Sequence, residues 1–177
     1  MLLAIDAGNT QTVIGLFDGP ELADHWRIAT DASRTSDELA LMIQQFLGFH
    51  GFAFDESVTG VAICSGVPRV TAELREMTER YFGYPALVLE PGVRTGMPIL
   101  YDNPKEVGAD RIVNTLAAHE LYGGPAIVVD FGTATNFDVV DEEGSYCGGA
   151  IAPGPNLSIE ALVNAAALLP QIGRAHV

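Results

Sequence analysis

The chain has 177 residues, of which 48% are hydrophobic and 18% charged, a balance typical of folded proteins and not of disordered ones. Its net charge of −14 provides no basic surface for nucleic acid, so we expect no nucleic-acid partner. No apolar run is long enough to span a membrane, and the N-terminal run is interrupted at Asp6, so neither a membrane span nor a signal peptide is expected. Cys64 and Cys147 lie outside any metal-ligand spacing, and we expect a cytoplasmic protein.

The N-terminal third predicts an antiparallel meander followed by a helix. Apolar residues at 2–5 and 12–17 predict two buried strands, and a third strand is expected at 25–29, after the turn Asp18-Gly19-Pro20. Ser36 precedes apolar residues at helical spacing, and the glycines at 48 and 51 end the predicted helix. This order indicates an α/β lobe that opens with a hairpin.

The middle of the chain continues the lobe with alternating elements. A buried strand is expected at 58–64, a helix at 71–81 and a short strand at 86–89. The Gly- and Pro-rich stretch 91–104 predicts a loop, and a helix at 105–121 ends at Gly123-Gly124-Pro125.

The C-terminal third repeats the opening pattern. Strands are expected at 126–129, 137–140 and 146–151, followed by a helix at 157–169. In both copies an apolar strand leads into Asp-x-Gly, a Thr-rich turn and a second strand, with the aspartates at Asp6 and Asp130. The spacing is too long for a solenoid, so we interpret the repeat as the duplication of a whole lobe.

The two repeated turns carry the residue types that bind phosphate. Gly8 and Gly132 lack a Cβ and let a ligand approach the backbone, where N–H groups and threonine hydroxyls can surround an anion. Asp6 and Asp130 would bind cations, since hard metals prefer carboxylate oxygens. Either copy alone is more simply interpreted as a structural turn, but the pair favours two hairpins facing a polyphosphate. Neither copy matches the P-loop or GxGxxG pattern.

A third motif, Gly108-Ala109-Asp110-Arg111, follows Tyr101 and lies near the start of the predicted helix at 105–121. Gly108 permits close approach of a ligand, and the helix dipole favours the carboxylate of Asp110. On its own, the motif is more simply interpreted as a helix-start carboxylate beside a solvated arginine.

Together, the three motifs resemble the type III pantothenate kinase family. The resemblance rests on the segments at residues 6–10, 108–111 and 130–135, supported by residues 91–98 and 148–154, and it runs from residue 1 to about residue 170. It implies two ribonuclease H-like, actin-like lobes, each a mixed sheet that is opened by an antiparallel meander and flanked by helices. The second lobe is expected to be incomplete.

The resemblance also implies the activity, the ligands and the roles of individual residues. A family member phosphorylates pantothenate with ATP and Mg²⁺, requires K⁺ or NH₄⁺, and forms a homodimer. Asp110 would be the general base, Asp6 would act on Mg²⁺ through water, and Asp130 would bind the monovalent cation. ATP would contact Asp6, Ala7, Gly8, Asn9, Thr10, Gln11, Thr12, Val13, Gly132 and Thr133, while pantothenate would contact Tyr101, Gly108, Ala109, Asp110 and Arg111, with Arg111 suited to its carboxylate.

The domain boundaries follow from the repeat. We expect a first lobe at residues 1–123, a partial second lobe at 124–170 and a non-native tail at 171–177, because the last residues do not fit the family's continuation. The family chain normally continues beyond residue 170, which implies a C-terminal truncation here.

Two other functions remain open at the level of sequence. One is a regulatory or accessory protein on the same scaffold. The other is a different actin-like kinase or ATPase, such as a sugar kinase, because the two turns alone do not define the phosphate acceptor.

Overall fold

The computed structural model describes residues 1–90 and 93–166, which form two compact units. The first unit contains residues 1–95 and 103–113, and the second contains residues 96–102 and the chain from Asn114 onward. Predictions for residues 91–92, for the end of the last helix at 167–169 and for the tail at 171–177 lie outside the described residues.

The first unit is built on a five-stranded mixed sheet, as the sequence predicted. Its strands are β1 (Leu2–Ala7), β2 (Gln11–Asp18), β3 (Glu21–Ala29), β4 (Gly60–Ser65) and β5 (Leu87–Leu89), in the order β3-β2-β1-β4-β5. The first three strands form the antiparallel meander, and β4 and β5 are added in parallel to β1. The carboxyl ends of β1, β4 and β5 therefore lie along the same edge of this sheet.

Two helices supply the apolar residues that complete the core of this unit. Helix α1 (Ser36–Phe49) begins with a capping box in which Thr35 and Glu38 bond reciprocally, and helix α3 (Pro68–Met77) begins with a proline at its first position. Their inward side chains join alternate residues of β1, β2 and β4 in one buried cluster, which includes Leu3, Ile5, Ile14, Leu16, Leu39, Ile43, Leu47, Ile63, Val70 and Leu74.

Several element boundaries differ from the predicted ones. A short helix, α2 (Phe54–Ser57), precedes β4, and the helix predicted at 71–81 begins instead at Pro68 and continues beyond Met77 as a π-helical turn over Thr78–Phe82. The helix predicted at 105–121 is α4 (Ala109–Tyr122), preceded by a 3₁₀ turn at Pro104–Glu106. Pro104 and Gly108 disfavour a continuous helix there, because proline removes a backbone donor and glycine loses entropy on ordering.

The second unit repeats the meander with β6 (Ala126–Phe131), β7 (Ala134–Val140) and β8 (Tyr146–Pro153), paired antiparallel in sequence order. Helix α5 (Pro155–Ala165) follows, and Gly154 is its N-cap. The mixed α/β architecture and the repeated meander are therefore confirmed. Within the described residues, this second sheet is purely antiparallel.

One face of the second sheet is apolar and exposed. Ile127, Val129 and Phe131 occupy the positions in β6 that Leu3, Ile5 and Ala7 occupy in β1. The three residues of β6 are 67%, 43% and 70% exposed, whereas those of β1 are buried. In the first unit, helices α1 and α3 contribute to the cluster that buries this face.

Candidate active site

The predicted phosphate-binding turn of the first unit lies at the carboxyl end of β1. Gly8 donates its N–H to the carbonyl of Gln11 at 3.0 Å, and this bond closes the turn between β1 and β2. Thr30, at the end of β3, ties the turn down, because its hydroxyl donates to the carbonyl of Gly8 at 2.7 Å. Four residues of this segment are exposed and can be reached by a ligand: Asp6, Asn9, Thr10 and Gln11.

Three of the predicted ATP-binding residues are directed away from solvent in this turn. Thr12 is buried and its hydroxyl lies 2.9 Å from that of Thr30, while Ala7 is buried and Val13 half-buried. Their side chains stabilise the turn, so a contact with a ligand would come from the backbone.

The second predicted turn, in the second unit, is also closed by a backbone hydrogen bond from its glycine, but it is one residue shorter than the first. Asp130 lies one residue before the end of β6, and the N–H of Gly132 donates to the carbonyl of Ala134 at 2.8 Å. Gly154 donates to the carbonyl of Thr133 at 3.0 Å, and a Cβ on Gly154 would overlap the carbonyl oxygens of the turn. A glycine is therefore required at this position, although sequence reasoning assigned it no role at the site.

Asp110 is placed by the glycine that precedes helix α4. It lies in the first turn of the helix, where the helix dipole favours a carboxylate, and its Oδ1 accepts the N–H of Arg111 at 2.9 Å. A Cβ on Gly108 would overlap Oδ1 of Asp110, so this side-chain position requires glycine. The predicted motif is thus a local structure in which Gly108 makes room for the carboxylate.

Cys64 shows that Asp6 and Asp110 belong to one region of the first unit. The strand register places Cys64 directly beside Asp6. Burial raises the pKa of the Cys64 thiol to about 12, and the negative charges of Asp6 and Asp110 contribute further to the increase. Two carboxylates that are far apart in sequence therefore act on the same side chain, at the carboxyl ends of parallel strands.

A cleft of about 630 Å³ opens beside Asp110 within the first unit. This volume is in the range of small-molecule sites. The walls come from the end of β4, one face of α3, the residue after β5 and the start of α4; the lining residues are Ser65, Gly66, Pro68, Thr71, Ala72, Arg75, Glu90, Gly108, Ala109 and Asp110. The sequence predicted only the last three of these.

The other predicted site residues lie in varied surroundings. Arg111 is half-buried and follows Asp110 in α4. Tyr101 is 46% exposed and lies in the second unit, near Gly148. Asp130 is half-buried. In residues 1–90 and 93–166, no three acidic, His or Cys side chains are grouped to hold a metal ion, so a metal at Asp6 or Asp130 would need ligands from backbone, water or substrate.

Comparison with solved structures supports the fold. The chain matches a Campylobacter jejuni protein described as a Baf family transcriptional activator, with a TM-score of 0.55 at 18% identity over 95% of this chain and 62% of that one. It also matches the Aquifex aeolicus Ppx/GppA phosphatase, with a TM-score of 0.53 at 15% identity over 92% of this chain and 54% of that one. At such identities the likeness shows an actin-like fold and nothing about activity.

Sequence comparison is more specific. A family model for type III pantothenate kinase matches residues 2–176. The Streptomyces griseus type III pantothenate kinase is 63% identical over 166 residues, which are 92% of this chain and 63% of that protein. The Acidothermus cellulolyticus relative of the same name is 59% identical over 97% of this chain and 67% of its own length. This chain spans less than two thirds of the Streptomyces protein, and it belongs to the type III pantothenate kinase family.

Proposed function

We propose that the protein is a pantothenate kinase, which transfers the terminal phosphoryl group of ATP to the primary hydroxyl of pantothenate. The product, 4'-phosphopantothenate, is the first intermediate of coenzyme A biosynthesis. The observation that carries the proposal is that Asp110, with Gly108 and Ala109, lines a cleft of small-molecule size within the first unit. Membership of the family supports the same activity.

The two turns are proposed to bind ATP. Residues 6–13 and Gly132 with Thr133 offer backbone N–H groups and hydroxyls, which suit phosphate oxygens in a protein whose net charge is −14. The exposed carboxylate of Asp6 fits Mg²⁺ held through water, and Asp130 is proposed to bind K⁺ or NH₄⁺. Such cations would offset the charge of the nucleotide. Binding of one nucleotide by both turns stays a prediction.

Asp110 is proposed to be the general base. Its carboxylate accepts the proton of the pantothenate hydroxyl while the oxygen attacks the γ-phosphorus and ADP leaves; the proton then passes to solvent. Phosphoryl transfer depends mainly on positioning and charge stabilisation, so the base contributes roughly 10²-fold. Gly108, Ala109, Arg111 and Tyr101 are proposed to position the pantothenate.

The test is ADP release by the purified protein and, in parallel, by the Streptomyces griseus relative, with pantothenate or a hexose as acceptor and with or without K⁺. We expect turnover with pantothenate alone, stimulated by K⁺. Asp110→Ala should lower kcat roughly 10²-fold. Glu106→Ala is the matched control, since it removes an exposed carboxylate of the same segment, which accepts a hydrogen bond from the Asn103 side chain.

Two results would contradict the proposal. Phosphorylation of hexoses but not of pantothenate would indicate a sugar kinase on the same fold. Nucleotide binding without turnover of any acceptor would indicate the regulatory alternative. A homodimer and a cytoplasmic location are proposed from the family alone; within the described residues, no helix has the length and apolarity to cross a membrane.

A further inference from the structure

The turn between β1 and β2 is held by a residue from outside its own segment. Thr30, which directly follows β3, donates its hydroxyl to the carbonyl of Gly8 at 2.7 Å. Its backbone N–H donates to the carbonyl of Thr10 at 3.0 Å. One half-buried residue therefore fixes two carbonyls of the predicted phosphate-binding turn, and the proposed function gives this residue no role.

The direction of each hydrogen bond in this network follows from counting its protons. A threonine hydroxyl has one proton to donate, and that of Thr30 goes to the Gly8 carbonyl, which can only accept. The hydroxyl of Thr12 lies 2.9 Å from that of Thr30, so Thr12 is the donor in this second bond. Both hydroxyl protons are then used inside the network, and Thr12 has none left to donate to a phosphate oxygen.

Holding the Gly8 carbonyl also sets the direction of the next backbone N–H. In a trans peptide, the carbonyl of one residue and the N–H of the next point in opposite directions, so the N–H of Asn9 points away from Thr30. Asn9 is exposed, and in residues 1–90 and 93–166 no acceptor is bonded to its N–H. The network thus leaves one oriented backbone donor that an arriving anion can reach.

The second unit provides an internal comparison. Gly154 directly follows β8, as Thr30 directly follows β3. Its N–H donates to the carbonyl of Thr133 at 3.0 Å, which repeats the backbone bond that Thr30 makes in the first turn. Glycine has no hydroxyl, however, so the side-chain bond is made in the first turn and not in the second. The backbone bond is therefore common to the repeated fold, whereas the hydroxyl bond is a special feature of the first turn.

We propose that Thr30 is a positioning residue for the phosphates of ATP: its hydroxyl holds the Gly8 carbonyl so that the N–H of Asn9 faces the nucleotide. The inference rests on the proposed binding of ATP by the first turn, and it adds a residue that lies outside the three motifs. Thr30 acts through the turn and not by touching ATP. A donor that is already oriented loses less freedom when the ligand binds, so the affinity for phosphate depends on this hydroxyl.

The test is isothermal titration of ADP and of adenosine, each with Mg²⁺, into the wild-type and Thr30→Val proteins. Valine keeps the shape of threonine and lacks its hydroxyl. The Kd for ADP should rise about tenfold, because the hydrogen bond that orients the donor is lost. The Kd for adenosine, which has no phosphate, should stay within about twofold. Thr30→Ser keeps the hydroxyl and should bring the Kd for ADP back to within about threefold of wild type.

Thr78→Val is the matched control. Thr78 is buried in the same unit, and its hydroxyl donates to the carbonyl of Leu74 at 2.8 Å. The substitution removes the same kind of bond outside the turn, so it should lower stability and leave both Kd values unchanged. A partly unfolded protein lowers the stoichiometry of the titration, whereas a misplaced donor raises the Kd, and the two causes are thereby separated.

Thr12→Val tests the direction of the network. Thr30 still donates to Gly8 in this variant, so the Kd for ADP should rise less than in Thr30→Val. A larger rise would mean that the hydroxyl of Thr12 binds phosphate directly, and it would overturn the role of Thr30.

The remaining outcomes separate this inference from the proposed function. An unchanged Kd for ADP in Thr30→Val, an equal rise for ADP and adenosine, or the same rise in Thr30→Ser overturns the role of Thr30 while the kinase function stands. Wild-type protein that binds ADP and phosphorylates no pantothenate overturns the kinase function while the role of Thr30 stands. Wild-type protein that binds no ADP contradicts both.

Discussion

Replacing Gly108 by alanine should displace the proposed base without unfolding the protein. Within the described residues, the added Cβ would overlap Oδ1 of Asp110, and the next atom, the carboxyl carbon of the same side chain, lies 3.6 Å away. Gly108 does not use a positive φ, so its backbone accepts alanine without strain. Asp110 is exposed and can rotate to another rotamer.

The expected magnitudes follow from this geometry. A rotation to another χ1 well moves the carboxylate out of hydrogen-bond reach of the substrate hydroxyl, so kcat should fall toward the level of Asp110→Ala, roughly 10²-fold. Stability should change by no more than about 1 kcal/mol, because the gain from replacing glycine opposes the loss of the hydrogen bond from the Arg111 N–H to Oδ1 of Asp110. Gly48→Ala, where a Cβ would meet nothing within 4 Å, is the control for the glycine effect.

A double-mutant cycle gives the decisive measurement. Alanine at position 110 removes Oδ1, so Gly108→Ala should have no further effect on kcat in the Asp110→Ala protein. Steady-state ADP release and urea unfolding of the four proteins provide both quantities. If Gly108→Ala lowered kcat equally in both backgrounds, glycine would act by another route, and the reasoning about the Asp110 side chain would be refuted.

Three further predictions concern stability and surface properties. Because the fold raises the pKa of Cys64, the neutral thiol contributes to the free energy of unfolding fully below pH 9, and this contribution is lost as the pH rises toward 12. In urea unfolding, wild type should therefore lose about 2 kcal/mol more than Cys64→Ala between pH 8 and 10.5. Tyr146→Phe should cost about 1–3 kcal/mol in the same assay, because Tyr146 donates to Oδ1 of buried Asp138 at 2.8 Å. Ile127 belongs to the exposed apolar row of β6, so Ile127→Asp should reduce the fluorescence of a bound apolar dye with little change in stability. Leu121 is exposed on α4 and is not part of that row, so Leu121→Asp should reduce the fluorescence less.

The strands of both meanders were predictable because their apolar residues alternate with exposed ones or form short buried runs. The apolar pattern gave no signal where the residues on both faces of a strand are exposed. Strand β3 begins at Glu21 rather than at 25, and residues 21–23 are all exposed. The start of α3 carried a usable signal, since Pro68 stands at its first position, whereas the π-helical turn after Met77 has no simple sequence signature.

The candidate site was predictable only where its residues are contiguous. The two turns and the motif at 108–111 each form a local structure, so short motifs were enough to find them. Thr30 and Gly154 each support one turn, and the Arg75–Glu90 pair lines the cleft, through contacts with distant parts of the chain. Of these, only Gly154 belonged to a segment that the family resemblance had marked, and no spacing rule linked the other residues to the turns.

The net charge of −14 bears on how the proposed site would bind its anionic ligands. An acidic protein that is to bind ATP and pantothenate, both anions, would need local attraction, because its long-range field repels them. Under the proposed function, the turns at Gly8 and Gly132 would supply backbone N–H groups and bound cations would supply charge. Arg75 has the one guanidinium among the described residues that line the cleft. If this account holds, adding salt should strengthen the binding of pantothenate by screening the long-range repulsion between the protein and this anion. Isothermal titration at 50 and 300 mM NaCl measures this effect, and weaker binding of pantothenate at the higher salt concentration would contradict the account.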